Sequence, residues 1–329
     1  APAEPAPPPT PPAKASRRRA SSRRPSRRSP GFWPENAQNL EACSTIDLAC
    51  AKKHEVNILT LAAERQGWRH TFRSEGGTII WVDSKEDVAS RIRSLGEGAW
   101  LSHVPGLGGC CNKDTLAKAL EEAGAEFWPR SFCIPEVSVD EIAAYAFPVA
   151  QRPRATLIVK PSAGTQGKGI EIVRSARALQ SAIDHLDYKG AIVQEYVERP
   201  LLLDGRKWDV RIYALAVPAS DADSDFAVFL AQEGLVRVCV NDYEPPCPRN
   251  LHRTLAHLTN YSLSKYSDKY EHCEDPADGS RGCKRTLSAV LRHMNASMDV
   301  EASALWASLG ELARGTMDAM AAPAKAMAF

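Results

Sequence analysis

The sequence predicts an α/β fold, and three observations support this prediction. Short apolar segments typical of strands alternate with amphipathic segments typical of helices from residue 55 to residue 240. The hydrophobic fraction of 44% and the charged fraction of 25% are ordinary for a globular protein. With 329 residues, the chain is long enough for one large domain or for two to three small ones.

Residues 1–31 form a basic arm rich in proline, arginine and serine. The arm holds Lys14 and seven arginines against the single acid Glu4, so the rest of the chain is mildly acidic and does not suit a nucleic-acid-binding surface. Because it contains too little apolar surface to offset its chain entropy, we expect it to be disordered. It is interpreted as a solvated tail, as a tether for an acidic polymer, or as a nuclear-import signal.

The cysteines and histidines give no metal or disulfide pattern. The nine cysteines include no Cys-x-x-Cys pair and follow no signal peptide, so reduced thiols in an intracellular protein are expected. No apolar run approaches the roughly 20 residues that a membrane span needs. Cys110 and Cys111 are interpreted as a buried turn and not as nucleophiles. His257 has no zinc ligand at suitable spacing and is expected to be a structural hydrogen-bonding group.

Residues 32–128 are predicted to form a small N-terminal α/β domain. A helix is expected over 55–65 and strands over 78–82 and 99–101. A second helix is predicted to begin after Asn112, and Gly124 follows its end.

Residues 129–198 and 199–329 are predicted to form a central α/β domain and a C-terminal half, respectively. The central domain is expected to contain a strand from residue 132, helices over 139–147 and 176–186, a strand–turn–strand unit over 157–173, and a strand over 191–197. The C-terminal half is expected to contain strands over 207–217 and 226–240, the latter with a turn or bulge at Gly234, and helices over 284–294 and 302–320.

The glycine-rich turn between two apolar strands is the first candidate for a binding site. Its glycines, Gly164, Gly167 and Gly169, allow the backbone to approach a polyphosphate closely. Lys160 and Lys168 supply positive charge beside it. The turn is not a P-loop, because no Gly-Lys-Ser/Thr ending is present and a strand follows it. Taken alone, it could equally be an ordinary glycine-containing hairpin.

A charged strand and a nearby strand end add to this pattern. Side chains alternate along a strand, so Lys207, Asp209 and Arg211 are predicted to share one face, while Trp208, Val210 and Ile212 lie on the other. The charged face could also be a solvated surface with cross-strand ion pairs. The segment Gln194–Val197 ends an apolar strand, as a hinge that contacts an adenine ring does.

The order of these motifs resembles the tubulin tyrosine ligase-like family, a branch of the ATP-grasp carboxylate–amine ligases, and most closely its glutamate-adding members. The resemblance covers about Glu55 to Ala319. It rests on the following segments: Ile158–Ile170, Gln194–Tyr196, Lys207–Tyr213, Glu233–Arg237 and His257–Ser262.

The resemblance implies an ATP-grasp-type fold and assigns roles to individual residues. Two residues are implied in catalysis, Lys168 and Arg211. Three are implied in binding the amino-acid substrate: Arg237, Ser262 and Lys284. The residues implied in ATP binding are Lys160, Gly167, Lys168, Gly169, Gln194, Glu195, Tyr196, Val197, Lys207, Asp209, Thr259 and Asn260.

By the same resemblance, the reaction is an ATP- and magnesium-dependent addition of an amino acid, most readily glutamate, to carboxylates of tubulin tails through an acyl-phosphate. The implied partners are free L-glutamate and tubulin or microtubules, with no nucleic acid and no membrane. The implied location is the cytoplasm and the cytoskeleton, including a cilium or basal body.

One part of the family pattern is missing. Nothing after Asn260 supplies the acidic strand pair that holds magnesium, so no metal ligand is assigned and the ligands are expected beyond the present C-terminus. The early Glu55-Val56-Asn57 segment is interpreted as unrelated. The chain begins at Ala1, and we expect an incomplete C-terminal half. Two alternatives stay open, namely a catalytically incomplete nucleotide- or microtubule-binding remnant and an ATP-grasp ligase acting on another substrate.

Overall fold

The computed structural model describes residues 44–73, 77–83, 85–148, 155–186, 190–218, 226–298 and 300–327. The predicted arm of residues 1–31 lies outside these ranges. Three sheets follow one another along the chain, each accompanied by helices. This mixed architecture confirms the predicted α/β fold class.

The N-terminal sheet is entirely parallel, with strand order β2-β1-β3-β4. Ile46 and Leu48 on its central strand pack with Ala63 of the first helix and with two tryptophans, Trp68 and Trp81. The elements of this region are β1 (Thr45–Cys50), α1 (Lys53–Arg65), β2 (Arg69–Thr71), β3 (Ile79–Val82), α2 (Lys85–Arg93), β4 (Trp100–Leu101), α3 (Leu107–Cys110) and α4 (Lys113–Glu122).

The central sheet is antiparallel, with strand order β5-β8-β6-β7. Its two helices pack on one face and close a core around Ile142, Leu157 and Leu179. Ser138 and Glu141 form a capping box that sets where the first of these helices begins. The elements are β5 (Ser131–Ile134), α5 (Val139–Ala146), β6 (Leu157–Pro161), β7 (Glu171–Val173), α6 (Ala176–Asp184) and β8 (Ala191–Glu195).

The third sheet is also antiparallel, with strand order β11-β10-β9. Trp208, Val210 and Ile212 pack on the core beneath it, as the predicted alternation requires. The register of β10 shifts between Leu230 and Gly234, so this glycine marks a bulge inside a continuous strand. The elements are β9 (Trp208–Pro218), β10 (Phe226–Val238), α7 (Thr254–His257), α8 (Tyr261–Ser264), β11 (Lys284–Thr286), α9 (Leu287–Ser297) and α10 (Ala302–Met327).

One predicted element is wrong in part. The helix expected over 284–294 begins only at Leu287, because residues 284–286 pair with β10 as strand β11. The Thr286 hydroxyl then accepts a hydrogen bond from the Ala289 backbone and caps the helix. The pairing partner is distant in the chain, which is why local periodicity misses the strand.

The last helix packs against elements from distant parts of the chain. α10 packs against α3, α4 and β10, so it touches both the N-terminal and the third-sheet regions. Cys110 of α3 is fully buried against Met320 and Ala324, whereas Cys111 is exposed, so only the first of the two cysteines lies in the interior. None of the helices in the described ranges combines the length and the apolar character that a membrane span requires.

Candidate functional site

The glycine loop that joins β6 to β7 lies against the segment that opens α8. Gly167 has a φ of +78°, and a Cβ atom placed on it would lie 2.9 Å from Cγ of Asn260. The hydroxyl of Ser262 donates a hydrogen bond to the carbonyl oxygen of Gln166. The structure therefore brings together two segments that are almost one hundred residues apart and that the family resemblance assigns to the same site.

Lys160 lies at the end of β6, on the wall of this cleft. Its ammonium group donates a 2.7 Å hydrogen bond to Oε1 of Gln194 on the neighbouring strand β8. Burial, and then the positive charge of Lys113, lower its pKa to about 8. Burial destabilises the protonated lysine, and a neutral partner does not compensate its charge. An anion that binds beside it stabilises the protonated form, so this position favours anion binding.

Side chains alternate along β8, so two predicted ATP contacts, Gln194 and Glu195, point to opposite sides of the sheet. Gln194 points into the cleft, where its amide also donates a 2.8 Å hydrogen bond to the Ser131 hydroxyl. The Glu195 carboxylate accepts from the Tyr145 hydroxyl on the side covered by α5. Only the backbone of Glu195 is therefore available as part of the predicted hinge. Val197, just after the strand, is 51% exposed.

A chain of hydrogen bonds behind the cleft links three side chains, those of Lys207, Tyr196 and His257. The Lys207 ammonium lies 4.0 Å from the centre of the Tyr196 ring and donates a 2.8 Å hydrogen bond to its hydroxyl. That hydroxyl lies 3.0 Å from Nδ1 of His257. Burial is the main cause that lowers the pKa of Lys207 to about 8, and it also raises the pKa of Tyr196. His257 is therefore a hydrogen-bonding group of the interior, as expected.

A row of charges crosses the third sheet. Asp209, Arg237 and Lys284 lie side by side on β9, β10 and β11. The Arg237 guanidinium donates two hydrogen bonds to the Asp209 carboxylate, at 2.8 and 2.6 Å, and this pairing raises the pKa of Arg237. The Thr259 hydroxyl donates to the same carboxylate. Residues assigned separately to ATP and to the amino acid thus bind one another here.

Lys284 and Arg211 flank this row. The Lys284 ammonium lies 3.4 Å from the centre of the Tyr261 ring, which holds it above the start of α8. Arg211 is exposed two residues beyond Asp209, on the same face of β9. Lys168 is exposed in the glycine loop, next to Gly169.

Lys113 belongs to the site, although sequence reasoning gave it no role. Its ammonium group donates hydrogen bonds to the carbonyl oxygens of Pro161, Ser162 and Gly164. Burial lowers its pKa, and its charge in turn lowers that of Lys160. Lys113 is the first residue of α4, directly after the N-cap residue Asn112. No signal in the neighbouring sequence reveals its three partners, because they lie about fifty residues later.

The cleft is thus a strongly cationic site built by all three regions of the fold. Lys113, Lys160 and Lys207 lie close enough for the charge of one to lower the pKa of the next. All three donate hydrogen bonds to neutral groups, which leaves their charge available to a polyphosphate. Across the ranges that the structure describes, no three acidic, cysteine or histidine side chains are grouped as a metal site would need.

Comparison with known proteins identifies the family of this chain. A profile described as the tubulin-tyrosine ligase family matches residues 94–329. The chain is 32% identical over 254 residues to tubulin polyglutamylase ttll6 of Danio rerio, covering 75% of this chain and 30% of that protein. It is 31% identical over 268 residues to tubulin polyglutamylase TTLL7 of Homo sapiens, covering 79% of this chain and 28% of that protein.

A third relative gives the same picture. Tubulin polyglutamylase TTLL6 of Homo sapiens is 30% identical over 239 residues, covering 71% of this chain and 25% of that protein. The chain therefore spans less than a third of the length of these relatives. Because the family profile covers well over half of the chain and includes every predicted site residue, the chain belongs to the tubulin-tyrosine ligase family.

Proposed function

We propose that the protein ligates glutamate to carboxylate side chains of tubulin tails at the expense of ATP, and acts at the cytoskeleton. The observation that carries this proposal is the pair of half-buried lysines, Lys160 and Lys207, whose hydrogen-bonding partners are the neutral side chains of Gln194 and Tyr196. Relatives named as tubulin polyglutamylases support the choice of glutamate and of tubulin.

The proposed chemistry has two steps. An oxygen of the acceptor carboxylate attacks the γ-phosphorus of ATP, the bond from that phosphorus to ADP breaks, and an acyl-phosphate forms. The amine of glutamate then attacks the acyl carbon, the bond to phosphate breaks, and the amine loses a proton as the amide forms. Neither step needs a redox partner, and both develop negative charge on phosphate oxygens.

The side chains of the cleft can supply what these steps need. Lys160, Lys207 and Lys113 offer positive charge to the phosphate oxygens, and the glycine loop offers backbone N–H groups. The guanidinium of Arg237 is suited to the carboxylate of free glutamate once it exchanges its bond to Asp209. A magnesium ion would screen the phosphates, but the described residues hold no group of ligands for it, and no residue is assigned to that ion.

Nucleotide binding is the first test. Calorimetric titration of ATP should show that Lys160→Ala and Lys207→Ala each weaken binding by about tenfold or more, because each removes a positive charge offered to the phosphates. Lys118→Ala is the matched control, because this exposed lysine of α4 pairs with Glu136 outside the cleft. Unchanged ATP affinity in both cleft variants would show that the nucleotide binds elsewhere.

Amino-acid transfer is the second test. Microtubules incubated with the protein, ATP and isotopically labelled glutamate should gain label in their tails, and labelled glycine or tyrosine should not replace it. Omitting ATP should remove the incorporation. Label that appears with another amino acid, or on a non-tubulin acceptor alone, would contradict the proposed substrate while leaving the nucleotide site intact.

A further inference from the structure

Strand β10 carries a bulge a few residues before Arg237, the residue proposed to bind glutamate. The pairing of β10 with β9 shifts between Leu230 and Gly234, so residues 231–233 lie opposite Tyr213 alone. Beyond the bulge the pairing is regular again. Because neighbouring residues of a strand point to opposite faces, the length of this bulge determines which face carries the side chain of Arg237.

The observed register is the one that brings Arg237 to the cleft. It pairs Arg237 with Asp209 of β9 on one side and with Lys284 of β11 on the other. If the bulge lost or gained one residue, every side chain after it would move to the opposite face, and the guanidinium would leave the cleft. The arrangement of the charged row therefore depends on the contacts that fix the bulge.

Glu233 is the last residue of the bulge, and its carboxylate connects the bulge to the start of α9. Oε1 accepts hydrogen bonds from the backbone N–H groups of Gly234, at 2.8 Å, and of Ser288, at 3.0 Å. Oε2 accepts a 2.6 Å hydrogen bond from the Ser288 hydroxyl. Desolvation acts against the charged carboxylate, but these bonds outweigh it and lower the pKa of Glu233. The carboxylate is therefore charged at neutral pH and holds both segments.

The start of α9 suits such a partner. The first turn of this helix contains no acidic residue of its own, so Glu233 supplies the negative charge from the neighbouring strand. Thr286, the N-cap residue of α9, is also the last residue of β11 and pairs with Leu235. The contacts of Glu233 with Ser288 thus lie next to this pair and fasten β10 to β11 where the bulge ends.

The backbone beside Glu233 leaves little room for another register. Gly234 is buried, and a Cβ atom placed on it would lie 2.8 Å from the carbonyl oxygen of Arg211. The same atom would lie 3.3 Å from Cδ2 of Leu287 in α9. A shift along β10 would bring a residue with a side chain into this position, so the close packing and the carboxylate favour the same register.

From these observations we infer that Glu233 is a positioning residue for Arg237. Its carboxylate fixes the bulge through Gly234 and Ser288, and the fixed bulge keeps the guanidinium beside Asp209. Glu233 acts through Arg237 and not on the reacting atoms. The placement of Arg237 can be tested without any reaction, whereas its effect on glutamate rests on the proposed function.

The first test follows the Nε–H proton of Arg237, which donates a 2.8 Å hydrogen bond to Asp209. In protein labelled with ¹⁵N-arginine, NMR measures its exchange with solvent, and the signal is assigned by its loss in Arg237→Lys. Glu233→Ala and Glu233→Asp should each raise the exchange rate by about fivefold, because neither side chain reaches both N–H groups. Glu233→Gln should stay near the wild-type rate, since its oxygen still accepts from both.

Glu141→Ala is the matched control for a purely structural effect. This glutamate caps α5 in a similar manner, through the backbone and the hydroxyl of Ser138, and lies beside the central sheet. The variant should lower the melting temperature as Glu233→Ala does, while the exchange rate at Arg237 stays unchanged. Ser288→Ala removes one of the three hydrogen bonds of Glu233 and should give an intermediate rate.

The second test uses incorporation of labelled glutamate. Glu233→Ala should raise the apparent KM for glutamate by about fivefold without weakening ATP binding, and Glu233→Gln should restore it. An unchanged KM together with faster exchange at Arg237 would support the positioning role and contradict the assignment of glutamate to this arginine. If the wild-type protein incorporates no glutamate, the proposed function fails and the exchange rates alone decide the inference.

Two outcomes would overturn the inference. Equal exchange rates in Glu233→Ala and in the wild type would show that the bulge keeps its register without the carboxylate, so that Glu233 only caps α9. Exchange that is equally fast in Glu141→Ala would show that any loss of stability loosens Arg237. Should Glu233→Ala fail to fold, Ser288→Ala gives the same decision, with Glu233→Gln as its reference.

Discussion

The ammonium group of Lys113 lies 2.6 Å from the carbonyl oxygen of Gly164. It also reaches the carbonyl oxygens of Pro161, at 3.1 Å, and Ser162, at 3.4 Å. One side chain from the first turn of α4 therefore fixes the backbone where β6 passes into the glycine loop. The N-terminal half of the chain thus contributes a lysine to the cleft proposed to bind the nucleotide.

We expect Lys113→Ala to weaken ATP binding by about tenfold, because hydrogen bonds from a charged donor contribute about 1.5 kcal/mol or more. The loop that should close over the phosphates loses its anchor, and the cleft loses a positive charge. Calorimetric titration with ATP measures the change, with Lys118→Ala in the same helix as control. Equal affinities for the two variants would remove Lys113 from the site.

ATP affinity should fall as the pH rises through about 8. The pKa values of Lys160 and Lys207 are about 8 in the folded protein, below the ordinary lysine value of about 10.4. The bound polyphosphate favours the charged lysines, so binding at pH 8 should take up protons. Calorimetry in buffers of different ionisation enthalpy measures this uptake, which Lys160→Arg should reduce.

The same two lysines have an opposite effect on stability. Below pH 8 both are charged, and the folded state bears the cost of burying them. Between about pH 8 and 10.4 the unfolded chain binds more protons, so these groups make the free energy of unfolding rise with pH.

An ATP affinity that is constant from pH 7 to 9 would contradict the assignment of both lysines to the phosphates.

Gly167→Ala should weaken ATP binding more than Gly205→Ala does. Both glycines have φ near +77°, so either alanine is strained by about 1 kcal/mol. Only at Gly167 would the added Cβ press on Asn260, at 2.9 Å, whereas nothing lies within 4 Å at Gly205. Comparing ATP titrations of the two variants isolates the steric contact. Equal losses would mean that the loop does not need this close approach.

If the proposed ligase activity holds, Arg237→Ala should raise the apparent KM for glutamate by about tenfold without weakening ATP binding. Its guanidinium is the cleft group best suited to a carboxylate, and it lies next to Lys284 on the neighbouring strand. Steady-state incorporation of labelled glutamate gives the KM, and Arg249→Ala, in the exposed loop after β10, is the control. Normal glutamate kinetics in Arg237→Ala would place the amino acid elsewhere.

Deleting residues 1–31 should weaken binding to microtubules in a salt-dependent way. The arm carries eight basic residues against one acid, and its attraction to acidic tails acts over a Debye length of about 8–10 Å. Co-sedimentation with microtubules at low and at physiological salt measures the effect. Equal affinities with and without the arm at low salt would leave it as a solvated tail.

The parts of the site that depend on local sequence were predictable. Alternation along β9 placed Trp208, Val210 and Ile212 in the core, and the glycine turn was found between its two strands. These features follow from strand periodicity and from glycine conformation, which neighbouring residues determine. The sequence predicted either a turn or a bulge at Gly234, and the structure shows a bulge.

The parts that depend on distant contacts were missed. Lys113 meets carbonyl groups about fifty residues further along the chain, so nothing near it in the sequence reveals its partners. Residues 284–286 form a strand only because β10 lies beside them. The bond between Asp209 and Arg237 depends on the register of two strands, whereas the family resemblance assigned the two side chains to different ligands.

The packing of α10 has a consequence for the order in which the chain can fold during synthesis. Cys110 is buried against Met320 and Ala324, about two hundred residues later, and Met327 fills the space beside Gly109. The surface of α3 and α4 that α10 covers therefore stays exposed until residue 327 has emerged from the ribosome. The central sheet makes its own core from residues 132–193 and can form well before that moment.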